Sequence, residues 1–166
     1  MINDFIYNSN NFHTIGGVSE WRSPSNIALI KYWGKKTNQI PLNPSISFTL
    51  KNCFTQTKIS YQTKKVGKLD FSFLFEGENN LGFENKLRRF FIRIEKYCPY
   101  LSNLKLKIES KNSFPHSSGI ASSASSYSAL SLCIMDIEKE LNPSIDDKFF
   151  LKKASFIARL GSGSAC

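Results

Sequence analysis

The chain has 166 residues, the usual size of one domain, and is 41% hydrophobic and 13% aromatic, which excludes a disordered profile and supplies a core without staples. Lys and Arg number 22 against 13 Asp and Glu, and the net charge of +9 attracts phosphates, nucleic acid or lipid headgroups without choosing among them. Cys53, Cys98, Cys133 and Cys166 are scattered and the two histidines isolated, so neither a C-x-x-C pair nor a metal cluster is present and reduced thiols in the cytoplasm are expected.

Residues 1–19 are polar and Asn-rich, have neither the basic start nor the apolar core of a secretory signal, and read as an N-terminal arm or short first strand. A domain is expected over 20–166. Asn26 to Trp33, NIALIKYW, is apolar enough for a buried strand closed by Gly34. Ser45 to Leu50 alternates like a half-buried strand. Phe54 to Tyr61 and Lys68 to Phe75 are β-rich and separated by KKVG, which predicts a hairpin. Phe83, Leu87, Phe90, Phe91, Ile94 and Tyr97 recur at helical spacing, with Arg88, Arg89 and Arg93 on the other faces, and Pro99 stops the helix. Leu104, Leu106 and Ile108 alternate as a strand, and two helices follow at about 121–140 and 145–160. Asp146 and Asp147 suit the positive start of the second helix. Strands that precede helices indicate an α+β layer structure, and no run approaches the roughly 18 apolar residues of a membrane helix.

The most informative segment runs from Ser113 to Ser126, SFPHSSGIASSASS, between a predicted strand and a predicted helix. Its chemistry suits a phosphate cradle. Gly119 lets backbone approach a ligand, Ala121 and Ala124 keep the approach open, free N–H groups at the helix start face an anion, and Ser122 and Ser123 add hydroxyl donors. A helix dipole contributes about 0.3–1 kcal/mol in exposed settings, so further cationic groups must converge from elsewhere. The competing reading is a Ser-rich helix start satisfied by its own capping side chains. The lysine of a Walker-type loop is absent.

Pro115-x-x-x-Gly119-Ile120-Ala121-Ser122-Ser123-Ala124 resembles the P-x-x-x-G-L-x-S-S-A loop of the GHMP family of small-molecule kinases. Pro24 to Lys35, PSNIALIKYWGK, and Ala158 to Cys166, ARLGSGSAC, are similar to two signatures of the diphosphomevalonate decarboxylase family within that group. PLNPSISFTL, from Pro41 to Leu50, is similar to the intervening segment. The resemblance implies a two-layer α+β sandwich of the GHMP N-terminal type, a mixed or antiparallel sheet packed on helices. It also implies ATP- and Mg2+-dependent decarboxylation of mevalonate 5-diphosphate to isopentenyl diphosphate, with no nucleic-acid or membrane partner and a homodimer left open.

By match to those motifs, Ser118, Gly119, Ile120, Ala121, Ser122 and Ser123 are expected at the ATP phosphates. Asn26, Lys31, Tyr32, Lys35, Ser162 and Ser164 are expected at the substrate, with Asn26 orienting an arginine on its carboxylate. Tyr32 alternates with Lys31 and Trp33, so a regular strand can turn only one set toward the site, and Trp33 reads as core. Arg159 reads as a helix-end cap. His116-Ser117-Ser118 departs from the small residues usual in the family loop. The family's catalytic Asp and Arg are expected beyond Cys166, so this piece is expected to be an N-terminal half, inactive alone and exposing an apolar surface. The rivals are another GHMP enzyme acting on mevalonate or its monophosphate, and a basic nucleic-acid-binding domain centred on Arg88, Arg89 and Arg93 whose affinity would fall steeply with salt.

Overall fold

Serine and threonine, not only aliphatic residues, line the inner face of the first two strands. The computed structural model describes residues 2–7, 12–65, 67–115 and 119–165. β1 (Gly16–Ile30) runs antiparallel to β2 (Ile46–Thr63), and β2 pairs on its other edge with β4 (Leu104–Asn112), also antiparallel. β3 (Asp70–Phe75) lies parallel to β4, so the mixed sheet has the order β1-β2-β4-β3. Helices α1 (Leu81–Ile94), α2 (Ser122–Leu141) and α3 (Asp147–Gly161) complete the α+β architecture expected from the sequence.

The predicted hairpin between β2 and β3 does not form. β4 takes the place beside β2, and β3 pairs only with β4. The reason is α1: a helix joining β3 to β4 carries the chain back to its starting end and so makes that pair parallel. The two strands read at 45–50 and 54–61 are one, bent by a register shift opposite Pro24 and Ser25. β1 also departs from expectation. It begins at Gly16, inside the segment read as an arm, and ends at Ile30, leaving Lys31 to Gly34 outside the strand. Within the arm, Phe5 stacks on Phe156 at 4.9 Å between ring centroids. The buried strand read at 26–33 is largely exposed, and Trp33, read as core, is 83% exposed.

α2 lies on β1 and β2 through small residues: Ser125 Oγ is 2.7 Å from Thr55 Oγ1, and Cys133 Sγ is 3.3 Å from the Thr57 carbonyl. Ser131 Oγ on α2 is buried without a hydrogen-bond partner, while other polar groups of this layer are paired. Ser19 Oγ and Trp21 Nε1 each donate to Asp136 at 2.6 Å, and Tyr61 donates to Glu140. On α1, Phe91 and Phe83 meet the β3 rings of Phe71 and Phe75 at 5.1 and 5.0 Å. Between α2 and α3 the fully buried Lys153 ammonium lies 2.7 Å from Glu138 and donates to the Tyr97 carbonyl. Burial pushes Glu138 above the usual carboxylate range, and Lys153 and Tyr100 oppose that push.

Asp146 caps α3 by accepting from the Phe149 N–H at 2.7 Å, the role its sequence position suggested. The α1 arginines are engaged within the fold: Arg93 donates to the Leu160 carbonyl, Arg89 to Asn85, and Arg88 pairs with Glu84. Among the described residues no helix is long and apolar enough to cross a membrane.

Candidate functional site

The start of α2 is built unlike an ordinary capped helix. Its N-cap is Ala121, in the left-handed region at φ +43°, and no side chain caps it. A non-glycine residue there costs about 1–2 kcal/mol, so the surrounding fold must hold it. Gly119 has φ +81° and open space where a side chain would stand. Between them, the Ile120 carbonyl accepts a hydrogen bond from Ser25 Oγ on β1, a residue with no solvent exposure. The serines do not satisfy the helix start. The Ser126 hydroxyl bonds back to the Ser122 carbonyl, Ser125 Oγ lies 3.1 Å from the same oxygen, and Ser123 Oγ lies 3.2 Å from Ser162 Oγ. Among the described residues no serine caps the helix; the Ala124 N–H donates to the Ala121 carbonyl, and the N–H groups of Ser122 and Ser123 face outward from the helix start, where an anion can meet them. Ser118, with His116 and Ser117, lies outside the described residues.

The glycine-serine turn after α3 is brought directly to this helix start. Ser162 Oγ continues to Ser164 Oγ at 3.1 Å, so three hydroxyls form a short chain from α2 to the turn. Gly161 permits the approach, because a Cβ there would stand 2.3 Å from the Tyr127 ring on α2. On its other side the turn meets the segment after β1. A Cβ at Gly163 would stand 3.0 Å from Tyr32 Oη and 3.1 Å from Lys35 Cε. Lys35 Nζ donates to Gln39 Oε1 at 2.7 Å and lies 5.5 Å from the Tyr32 ring centroid.

Since Lys31 to Gly34 leave the strand, its alternation no longer restricts them, and Tyr32 is half-buried while Lys31 and Trp33 are exposed. Lys31 makes no described side-chain contact with the cluster. Asn26 is half-buried in a neighbouring groove of about 350 Å³, which Ser25, Ala124, Ser164 and Ala165 also line.

A second cavity, about 120 Å³, opens beside Ser122 and Ser123 between α1, α2 and the sheet. Phe73, Phe75, Phe83, Leu87, Ile108 and Leu130 make its walls, while Ser110, Asn112 and Lys86 supply polar groups. Tyr127 also borders it, and burial raises its hydroxyl pKa against the opposing pull of Arg93 and Arg89.

The profile of the diphosphomevalonate decarboxylase-like N-terminal domain matches residues 23–166. The chain belongs to this family. The diphosphomevalonate decarboxylase of Saccharomyces cerevisiae is 35% identical over 155 residues, which are 87% of this chain and 37% of the yeast protein. The crystal structure of mevalonate diphosphate decarboxylase from Staphylococcus aureus superposes with a TM-score of 0.70 at 35% identity, covering 91% of this chain and 43% of that one. A third relative, MDDEF in complex with MVAPP, AMPPCP and magnesium, gives a TM-score of 0.68 at 31% identity over 93% of this chain and 44% of its own. The chain thus spans about two fifths of the length of the curated relatives it matches. With the family shown, the sheet and helices are those of the GHMP-type N-terminal domain of these decarboxylases.

Against that family fold, Ser123, Ser162, Ser164, Tyr32 and Lys35 gather at one place, Ser122 and Asn26 border the cavities beside it, and Lys31 is exposed. The sequence reading missed Ser25, Gln39 and Asn112. Ser25 sits in the P-S-N-I-A-L stretch, but only the fold brings its hydroxyl under Ile120. Among the described residues no group of three or more His, Cys, Asp or Glu side chains could hold a metal.

Proposed function

We propose that this domain binds MgATP and mevalonate 5-diphosphate side by side as the N-terminal part of an ATP-dependent decarboxylase yielding isopentenyl diphosphate, ADP, phosphate and CO2. One observation carries the reading: the Ser123–Ser162–Ser164 hydroxyl chain links the uncapped start of α2 to the turn that meets Tyr32 and Lys35. Two anions placed at its two ends are held within reach of each other, and phosphoryl transfer depends mainly on such positioning and on charge stabilisation.

In this reading the N–H groups of Ser122 and Ser123 and the Ser123 hydroxyl hold the nucleotide phosphates, and the aromatic-lined cavity beside them takes the base. Lys35 neutralises the substrate diphosphate, Tyr32 and Ser164 donate to it, and Asn26 helps orient the carboxylate end. Mg2+ fits this donor set because it keeps most of its waters and binds chiefly through the nucleotide's own phosphates, needing little from the protein. Phosphorylation of the tertiary hydroxyl makes it a leaving group, and loss of CO2 supplies the electrons of the new alkene. The reading places this reaction in the cytoplasm.

Calorimetry with AMPPCP–Mg2+ and with mevalonate 5-diphosphate tests the arrangement. Both ligands bind together, Ser123→Ala weakens chiefly the nucleotide, and Lys35→Met weakens the diphosphate by about tenfold or more, the scale of a charge-assisted hydrogen bond. Mutual displacement of the two ligands, or no binding of either, overturns the reading.

A further inference from the structure

A buried chain of hydroxyl groups runs behind the aromatic-lined cavity. Thr55 on β2 and Asn112 on β4 are cross-strand partners, and Thr55 Oγ1 donates to Asn112 Oδ1 at 2.8 Å. Thr55 Oγ1 also lies 2.7 Å from Ser125 Oγ on α2, and Ser125 Oγ lies 3.1 Å from the Ser122 carbonyl. Thr55 has no solvent exposure and Ser125 is 1% exposed, so water cannot substitute between these two hydroxyls, while Asn112 is half-buried.

Each hydroxyl has one proton to give, and the chain can be read in two directions. In one, Ser125 donates to Ser122, Thr55 to Ser125, and the Asn112 amide nitrogen to Thr55. In the other, Ser125 donates to Thr55 and Thr55 to Asn112 Oδ1. The Ser122 carbonyl decides between them. It already accepts from the Ser126 hydroxyl at 2.7 Å and, within the helix, from the N–H four residues on. A carbonyl oxygen has two lone pairs, so the Ser125 proton is left for Thr55. Asn112 Oδ1 is thereby held toward Thr55, which leaves its Nδ2 turned away from Thr55, and Asn112 borders the aromatic-lined cavity.

Building on the reading that this cavity takes the nucleotide base, we propose that Thr55 is a positioning residue which locks the Asn112 amide with its donor toward the base and so selects adenine. A fixed N–H donor pairs with a bare ring nitrogen, as N1 of adenine offers, and opposes the N1–H that hypoxanthine and guanine carry at the same edge. A site that presents a set polar group discriminates because the wrong analogue leaves that group unpaired. Thr55 touches no ligand itself. It acts through Asn112, and Ser125 supplies the proton that sets its direction.

The test is calorimetric titration of the 166-residue chain with the magnesium complexes of ATP, ITP and inorganic tripolyphosphate. The unsubstituted chain prefers ATP to ITP by about tenfold, the scale of one mispaired buried hydrogen bond. Thr55→Val frees the amide to rotate, and the preference falls to within about threefold while tripolyphosphate affinity is unchanged; Thr55→Ser restores it. Asn112→Asp, nearly isosteric at a half-buried strand end, can only accept, and it shifts the preference toward ITP. An ATP-to-ITP ratio that Thr55→Val and Asn112→Asp both leave intact overturns the inference while the nucleotide reading stands. Tripolyphosphate weakened together with ATP in Thr55→Val would assign Thr55 a general structural role and also overturn it. Absence of binding by ATP and ITP alike in the unsubstituted chain overturns the nucleotide reading itself.

Discussion

The same two strands behave differently at their two ends. Where β1 and β2 lie under α2 and beside β4, Ile59, Thr55, Thr57, Ser19 and Ser23 are buried. Beyond Ser25 and Leu50 the strands continue as a two-stranded ribbon, because β4 pairs with β2 only from Thr55 to Thr63. On that ribbon Ile27 and Phe48 face each other as cross-strand partners, yet Phe48 is 60% exposed. Polar residues are buried at one end and apolar ones exposed at the other. Cover, not residue type, decides burial here: Ser19, Thr55 and Thr57 have hydrogen-bond partners across the sheet or on α2, while among the described residues no layer covers Phe48.

The largest effect is expected from breaking the covered end. Lys153→Ala strands Glu138 as an unpaired buried charge and lowers unfolding free energy by about 3–5 kcal/mol in urea titrations. The double replacement Lys153→Met with Glu138→Leu recovers most of that loss, since a buried pair is costly to split and cheap to replace. Next, Ile59→Ala costs about 2–4 kcal/mol whereas Phe48→Ala costs less than about 1, both read from denaturant midpoints. Equal costs at the two positions would mean that the ribbon is covered in solution and would end the contrast.

The smallest effect concerns the thiols. Burial pushes Cys98 and Cys133 up to about 12, against an unfolded value of about 8.5. Their raised values mean that the native state holds these protons more tightly than the unfolded chain. The associated stability is complete below pH ~8.5 and is lost as pH rises toward 12. Accordingly, thiol labelling at pH 8 reaches the half-buried Cys53 quickly, while Cys98 and Cys133 react only on unfolding. Rapid labelling of Cys133 would show that α2 lifts from β1 and β2 in the native state.

Much of the helical layer was legible in the sequence. The apolar spacing of Leu87, Phe90, Phe91 and Ile94 located α1, and Asp146 marked the start of α3 as its capping residue. The phosphate-type loop was legible as well, because glycine, small residues and serines between a strand and a helix form a local pattern. The first half of β1 was not. Its inward residues are Ser19, Trp21, Ser23 and Ser25, which no hydrophobic alternation would flag, and their partners Asp136 and Ile120 lie about a hundred positions away. Trp33 misled in the opposite sense, since an apolar run is read as buried unless the missing cover is known.

Of the candidate site, sequence supplied the residue types and left their company open. Ser123, Ser162, Tyr32 and Lys35 were each named from local motifs, but their meeting depends on two close approaches, at Gly161 against Tyr127 and at Gly163 against Tyr32. Likewise the orientation of the Asn112 amide follows from hydroxyls on two other elements, β2 and α2. The sequence by itself determined the helices, the loop chemistry and the family, because those reside in short-range pattern. Tertiary structure alone decided the parallel pairing of β3, the exposure of the ribbon and the proton direction behind the cavity, because each depends on which distant groups are present to cover a surface or accept a hydrogen bond.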